Sequence, residues 1–185
     1  MKVRNLLISA VTLAVFTASS AFAADPISSG QTTDVALNAV LGETLTVTLN
    51  QTAVNFTLTA GSATNAGDKT IDATVAWVLQ PGRTNVSLFA YFDTTTRALN
   101  SGSNLIPSSA VSATLGGIGA GSFTNTTPFG GLTGITVSNT TITTNLVGNT
   151  STTVGLNIDL SGGSLPSLPA GTYGGTLHFQ AQATT

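Results

Sequence analysis

Beyond its first two dozen residues, this chain repeatedly alternates apolar residues with hydroxyl or amide residues. In "ETLTVTLN", Leu45, Val47 and Leu49 fall on one side and threonines on the other. "DVALNAVL" groups Val35, Leu37, Ala39 and Leu41, and "AVNFTLTAG" groups Val54, Phe56 and Leu58. "KTIDATVAWVL" aligns Ile71, Ala73, Val75, Trp77 and Leu79, while "NVSLFAYFD" aligns Val86, Leu88, Ala90 and Phe92. A period of two marks a strand with one buried face, whereas an amphipathic helix needs a period of 3.6. Only 6% of the residues are charged, against about 25% in an ordinary soluble domain. Lys, Glu and Arg, which favour helices, are therefore scarce, and β-branched residues take their place.

The remaining elements follow from turn residues. "QPGRTN" supplies a bend between the Ile71–Leu79 and Val86–Phe92 runs, which are expected to pair as a β-hairpin at the centre of the core. A short strand is expected around Ala110–Leu115, then a long Gly/Ser/Thr-rich loop. "GITVSNTTITT" and "STTVGLNIDLSG" read as two further strands, and "GGSLPSLPAG" as a connector. The last strand carries Tyr173, Leu177, Phe179 and Ala181 on one face. Eight or nine short strands without a fixed-period repeat predict an all-β, Ig-like β-sandwich rather than a solenoid or propeller. An outer-membrane barrel would need aromatic girdles at two levels. Aromatic residues are only 6% of this chain.

The N-terminus has its own pattern. Lys2 and Arg4 precede an apolar run that ends in Ala21-Phe22-Ala23, as in a secretory signal peptide cleaved after Ala23. The expected organisation is a signal peptide at 1–23, an extension at 24–50 and a sandwich domain at 51–185. The product would be exported through the periplasm to the cell surface or the medium. No later stretch is long and apolar enough to span a bilayer as a helix. The chain has no cysteine, so no disulfide holds the fold. About 160 residues suffice for a self-supporting core.

Charge and chemistry narrow the function. After cleavage the cations are Lys69, Arg83 and Arg97, set against seven acids. Three scattered cations make neither a phosphate-neutralising stripe nor a polybasic membrane patch, so nucleic acid is not an expected partner. Nor does so little charge oppose self-association. The single histidine, His178, lies on the last strand beside Leu177 and Phe179 and reads as a polar strand residue. Asp68 and Asp72 read as solubilising residues near a turn. No catalytic residues, metal ligands or cofactor site are expected, and the protein is not expected to be an enzyme. Trp77 falls on the apolar side of its strand. Phe89 and Tyr91 sit opposite Leu88 and Phe92, either on a second packed surface or exposed, and are the best local candidates for ligand contact.

The ends carry a resemblance. "LPAGTYGGTLHFQAQATT" resembles the C-terminus of chaperone–usher pilins, most closely the colonisation-factor (alternate-chaperone) branch. There a Gly-x-Tyr-x-Gly turn leads into an alternating terminal strand. The matching residues are Gly171, Tyr173 and Gly175, followed by Leu177, Phe179 and Ala181. "LTVTLNQTAVNFTLTAG" is similar to that branch's donor strand followed directly by its first domain strand. The usual proline between the two is missing, and an additional piece, "ADPISSGQTTDVALNAVL", precedes them. Both Val35, Leu37 and Leu41 and the later Leu45, Val47 and Leu49 therefore stand as donor-strand candidates.

The resemblance implies a sandwich completed by donor-strand exchange, with the terminal strand as one wall of an apolar groove. It implies a fimbrial subunit supporting adhesion or biofilm. Its partners would be copies of itself or related subunits, a periplasmic chaperone and an outer-membrane usher. The alternative is a self-complete secreted or cell-surface sandwich that binds glycans or another protein.

Overall fold

A computed structural model of the protein describes residues 37, 39–116 and 118–185. The signal-peptide reading and Val35 lie outside these residues. Among them the chain is almost entirely β, in antiparallel sheets stacked as a sandwich. The strands are β1 (Thr44–Leu49), β2 (Asn65–Ala66), β3 (Ile71–Val78), β4 (Asn85–Phe92), β5 (Leu99–Ser101), β6 (Asn104–Ile106), β7 (Val111–Leu115), β8 (Ile118–Ser122), β9 (Asn125–Thr126), β10 (Thr133–Thr141), β11 (Val147–Ile158) and β12 (His178–Thr184).

One sheet has the order β1-β3-β11-β7-β8, with β2 also paired to β11. The other has the order β12-β4-β10-β9, and β5 and β6 form a small ribbon. β3, most of β4 and the second half of β11 bury alternate residues. Ile71, Ala73, Val75 and Trp77 of β3 face Val86, Leu88, Ala90 and Phe92 of β4 across the core. Val75, Leu88, Ile106, Phe123, Val154 and Ile158 are fully enclosed. Trp77 donates its indole N–H to the Asn145 carbonyl at 3.3 Å. Its ring lies against Gly148, where an added Cβ would come within 2.8 Å of Trp77 Cζ2.

Two expectations are corrected here. β3 and β4 do not pair as a hairpin. They lie in different sheets, and residues 79–84 arch from one layer to the other, with Gly82 at φ 99° in the bend. Alternation places an apolar face on each strand. It is satisfied equally when two such faces share a sheet and when they oppose each other across a core.

The sandwich also begins before residue 51. β1 pairs with β3 in full register, from Thr44 opposite Val78 to Leu49 opposite Ala73, and the compact unit runs from Leu41 to Thr185. Leu45 and Val47 pack on the core. The long middle loop contains the Gly-rich β8 and the two-residue β9, whose sequences show little alternation.

Candidate functional site

The site arises where two extended segments lack a neighbour. After Leu49 the chain runs on through "AVNFTLTAG" without entering a continuous ladder. It is tied on the side facing residues 65–68, where the Thr59 N–H donates to Asn65 Oδ1 at 2.7 Å. There the Asn55 backbone N–H donates to Asp68 Oδ1 at 2.8 Å, Asp68 N–H donates to the Asn55 carbonyl at 2.9 Å, and Phe56 bridges Gly67. The C-terminal segment before β12 is also extended. It is tied to Asn100 through a reciprocal bridge at Gly174, with N···O distances of 2.8 and 3.0 Å. The first segment follows β1 and the second leads into β12, which are edge strands of the two main sheets.

Between them lies a groove of about 1170 Å³. Val54, Phe56 and Leu58 line one side, and Tyr173, Leu177 and Phe179 the other. Its floor is the core itself, including Ile71, Phe92, Val111, Leu156 and Ile158. Among the described residues no charged side chain lines it. Such a groove suits an uncharged, alternating strand. The strand's apolar side chains would complete the core, and its backbone would meet the unpaired edges.

Toward the β3–β4 arch, β1 and β12 draw together. Leu45 and Val47 from β1 and Ala181 and Ala183 from β12 pack there on the common core. A small cleft of about 240 Å³ remains beside Glu43 and Arg83. Arg83 donates from Nε to Glu43 Oε1 at 2.8 Å and from Nη2 to Glu43 Oε2 at 2.9 Å. Its Nη1 reaches the Ala183 carbonyl at 3.5 Å, and the Gln80 N–H also donates to Glu43 Oε1 at 3.1 Å. One guanidinium therefore bridges the start of β1 and the end of β12.

These bonds hold the Glu43 carboxyl down from its ordinary 4.5 to about 2, chiefly through Arg83 and then through the Gln80 N–H. Asp68 is also lowered, first by the Asn55 backbone N–H and then by the Asn55 side chain. Both groups favour ionisation in the folded state, so their contribution is present above the unfolded carboxylate range and is lost as pH falls through the folded values. The thermal unfolding midpoint should therefore drop as the pH is lowered from about 4.5 to about 2, as the Glu43 contribution is lost. Glu43→Gln should flatten part of that slope, and an unchanged slope would show that the clasp does not couple to folding.

The candidate residues are distributed as follows. Gly171, Tyr173, Gly175, Leu177 and Phe179 line the groove, while Ala181 lies further along, beside the smaller cleft. Leu49 reaches the groove's near end. Leu37, Val40 and Leu41 are 90%, 96% and 81% exposed.

Phe89 and Tyr91 lie on the outer face of the second sheet, and Phe129 packs on both at ring-centroid distances of 5.8 and 5.9 Å. Tyr91 is 9% exposed, stacks on His178 at 5.3 Å and donates its hydroxyl to Gln180 Oε1 at 2.7 Å. Its ring is not free to stack on a sugar. His178 Nε2 lies 3.2 Å from Asp93 Oδ1, but is too poorly aligned for a hydrogen bond.

Among the described residues there is no group of three His, Asp or Glu side chains placed to hold a metal, and no helix is long and apolar enough to cross a membrane. The sequence reading missed the opposing wall formed by Val54, Phe56 and Leu58. Their alternation is the same as that of a fully paired strand, so no local signal marks the missing neighbour.

No known family model matches the chain, and no curated protein gives a significant match.

Proposed function

We propose that the protein is a structural, non-catalytic subunit of a surface fibre, assembled when an N-terminal strand of one copy fills the groove of another. The observation that carries this reading is the open groove, whose floor is the hydrophobic core and whose two rims are unpaired strand edges. The occupant is the Val35–Leu41 segment of a second copy. It is uncharged, as the groove is, and its apolar residues alternate. Seven residues of strand span about 20 Å at roughly 3.3 Å each, and the open rim from Ala53 to Thr59 has the same count.

Chain length favours a second copy over the protein's own tail. Leu41 lies two residues from Glu43, a reach of about 7 Å at most. Glu43 is fixed at the arch end, and the groove begins near Leu49, about 20 Å further along β1. Leu41 and Ala39 of the same chain cannot reach it. Before assembly, a periplasmic chaperone would cover the exposed floor, and an outer-membrane usher would present the subunit for exchange. The glycan-binding alternative loses its main platform, because Tyr91 is covered.

Surface extracts run on a denaturing gel, unheated and heated, test the proposal. A ladder that collapses to one band on heating is the expected result. A single monomer band in both lanes, from well-expressed protein, overturns it.

A further inference from the structure

This chain has few charges, yet it places its one bidentate ion pair among the described residues directly after the exposed apolar tail. Only Gly42 separates Leu41 from Glu43, and an added Cβ at Gly42 would meet nothing within 4 Å. Glu43 is bonded to both nitrogens of the Arg83 fork and to the Gln80 N–H. Bidentate, charge-assisted bonds fix direction as well as distance. The chain therefore leaves the sandwich from a fixed point, between the β3–β4 arch and the end of β12.

We propose that the Glu43–Arg83 clasp is the joint of the fibre: it locks a donated strand to the end of the sandwich that donates it, so that neighbouring copies meet end to end. This rests on the strand-exchange reading above. An inserted Leu41 would sit within about 7 Å of the donor's own clasp. So short a connection leaves no flexible linker, and the donor's arch end must abut the acceptor's groove mouth. Antiparallel pairing with the terminal segment, the more stable ladder, puts Leu41 at the mouth beside Leu165, Leu168 and Pro169.

The acceptor loop from Ser161 to Ala170 carries no charge, and the arch offers only Arg83, which is already neutralised by Glu43. The two ends can therefore meet without like-charge repulsion. Arg83 acts here as a positioning residue. It touches neither the inserted side chains nor the groove floor.

Fibres of the full chain, imaged by negative-stain electron microscopy alongside the unheated gel, provide the test. Arg83→Met and Glu43→Ala should each keep the heat-sensitive ladder while shortening the fibre persistence length several-fold. The charge-swapped double variant Glu43→Arg with Arg83→Glu should recover stiffness. Inserting Gly-Gly-Ser after Gly42 should loosen fibres with the clasp intact. Leu88→Ala, which weakens the core elsewhere, should leave them stiff. Clasp variants as stiff as the wild type overturn the joint and leave strand exchange standing. A wild type that gives neither ladder nor fibre overturns strand exchange and the joint with it.

Discussion

Replacing both Leu37 and Leu41 with aspartate is expected to abolish the heat-sensitive ladder while leaving the monomer as stable as the wild type. Both leucines are almost wholly exposed, so the folded chain loses little when they change. In an occupied groove each leucine would contribute about 1.5–3 kcal/mol of burial. Each aspartate would instead place a carboxylate in a groove with no charged partner, at a cost of several kcal/mol. The combined loss exceeds about 4 kcal/mol, roughly a thousandfold in affinity.

The gel measures the polymer, and a urea transition measures the monomer. Val47→Asp provides the contrast. Val47 already packs on the core of its own domain, so this variant should lower the urea midpoint of the monomer. If Val47→Asp instead left the monomer intact and alone removed the ladder, β1 would be the exchanged strand and the Val35–Leu41 assignment would fall.

Gly175→Ala is expected to destabilise the domain by about 3 kcal/mol or more, and its neighbour Gly174→Ala by almost nothing. At Gly175 an added Cβ would collide with the Ala98 carbonyl oxygen and sit 2.9 Å from its carbon. Both contacts are backbone, so no side chain can swing aside to make room. The terminal segment would have to lift away from β5, and overpacking of this kind lies at the severe end of its range. Lifting that segment also removes the groove wall formed by Tyr173 and Leu177.

At Gly174 an added Cβ would meet nothing within 4 Å. The backbone has no positive φ there, so alanine even reduces the entropy of the unfolded chain. Equal urea midpoints for the two variants would show that the close approach of Gly175 to Ala98 is not retained in solution.

The Gly175 comparison shows how unevenly the site could be read in advance. "GTYGG" marks a turn and a start of strand, but nothing local says which glycine meets another backbone. That depends on Ala98, which is distant in sequence. The Glu43–Arg83 pair is likewise invisible in the chain, because forty residues separate partners that meet only through the β3–β4 arch. Phe89 and Tyr91 alternate as exposed residues would, and only the fold of the 127–131 loop brings Phe129 over them.

The amino-acid sequence by itself determined the class of structure. Period-two alternation and the scarcity of helix formers allow strands with one apolar face and little else. The absence of cysteine leaves hydrophobic burial to hold them together. The tertiary structure decided which faces oppose and which edges stay unpaired. It placed β3 and β4 in separate layers, drew β1 into the sandwich and left the segments around Phe56 and Leu177 without a neighbour between them. The physical reason is that alternation encodes the burial of a face, whereas hydrogen-bond pairing belongs to the backbone, which is the same for every strand.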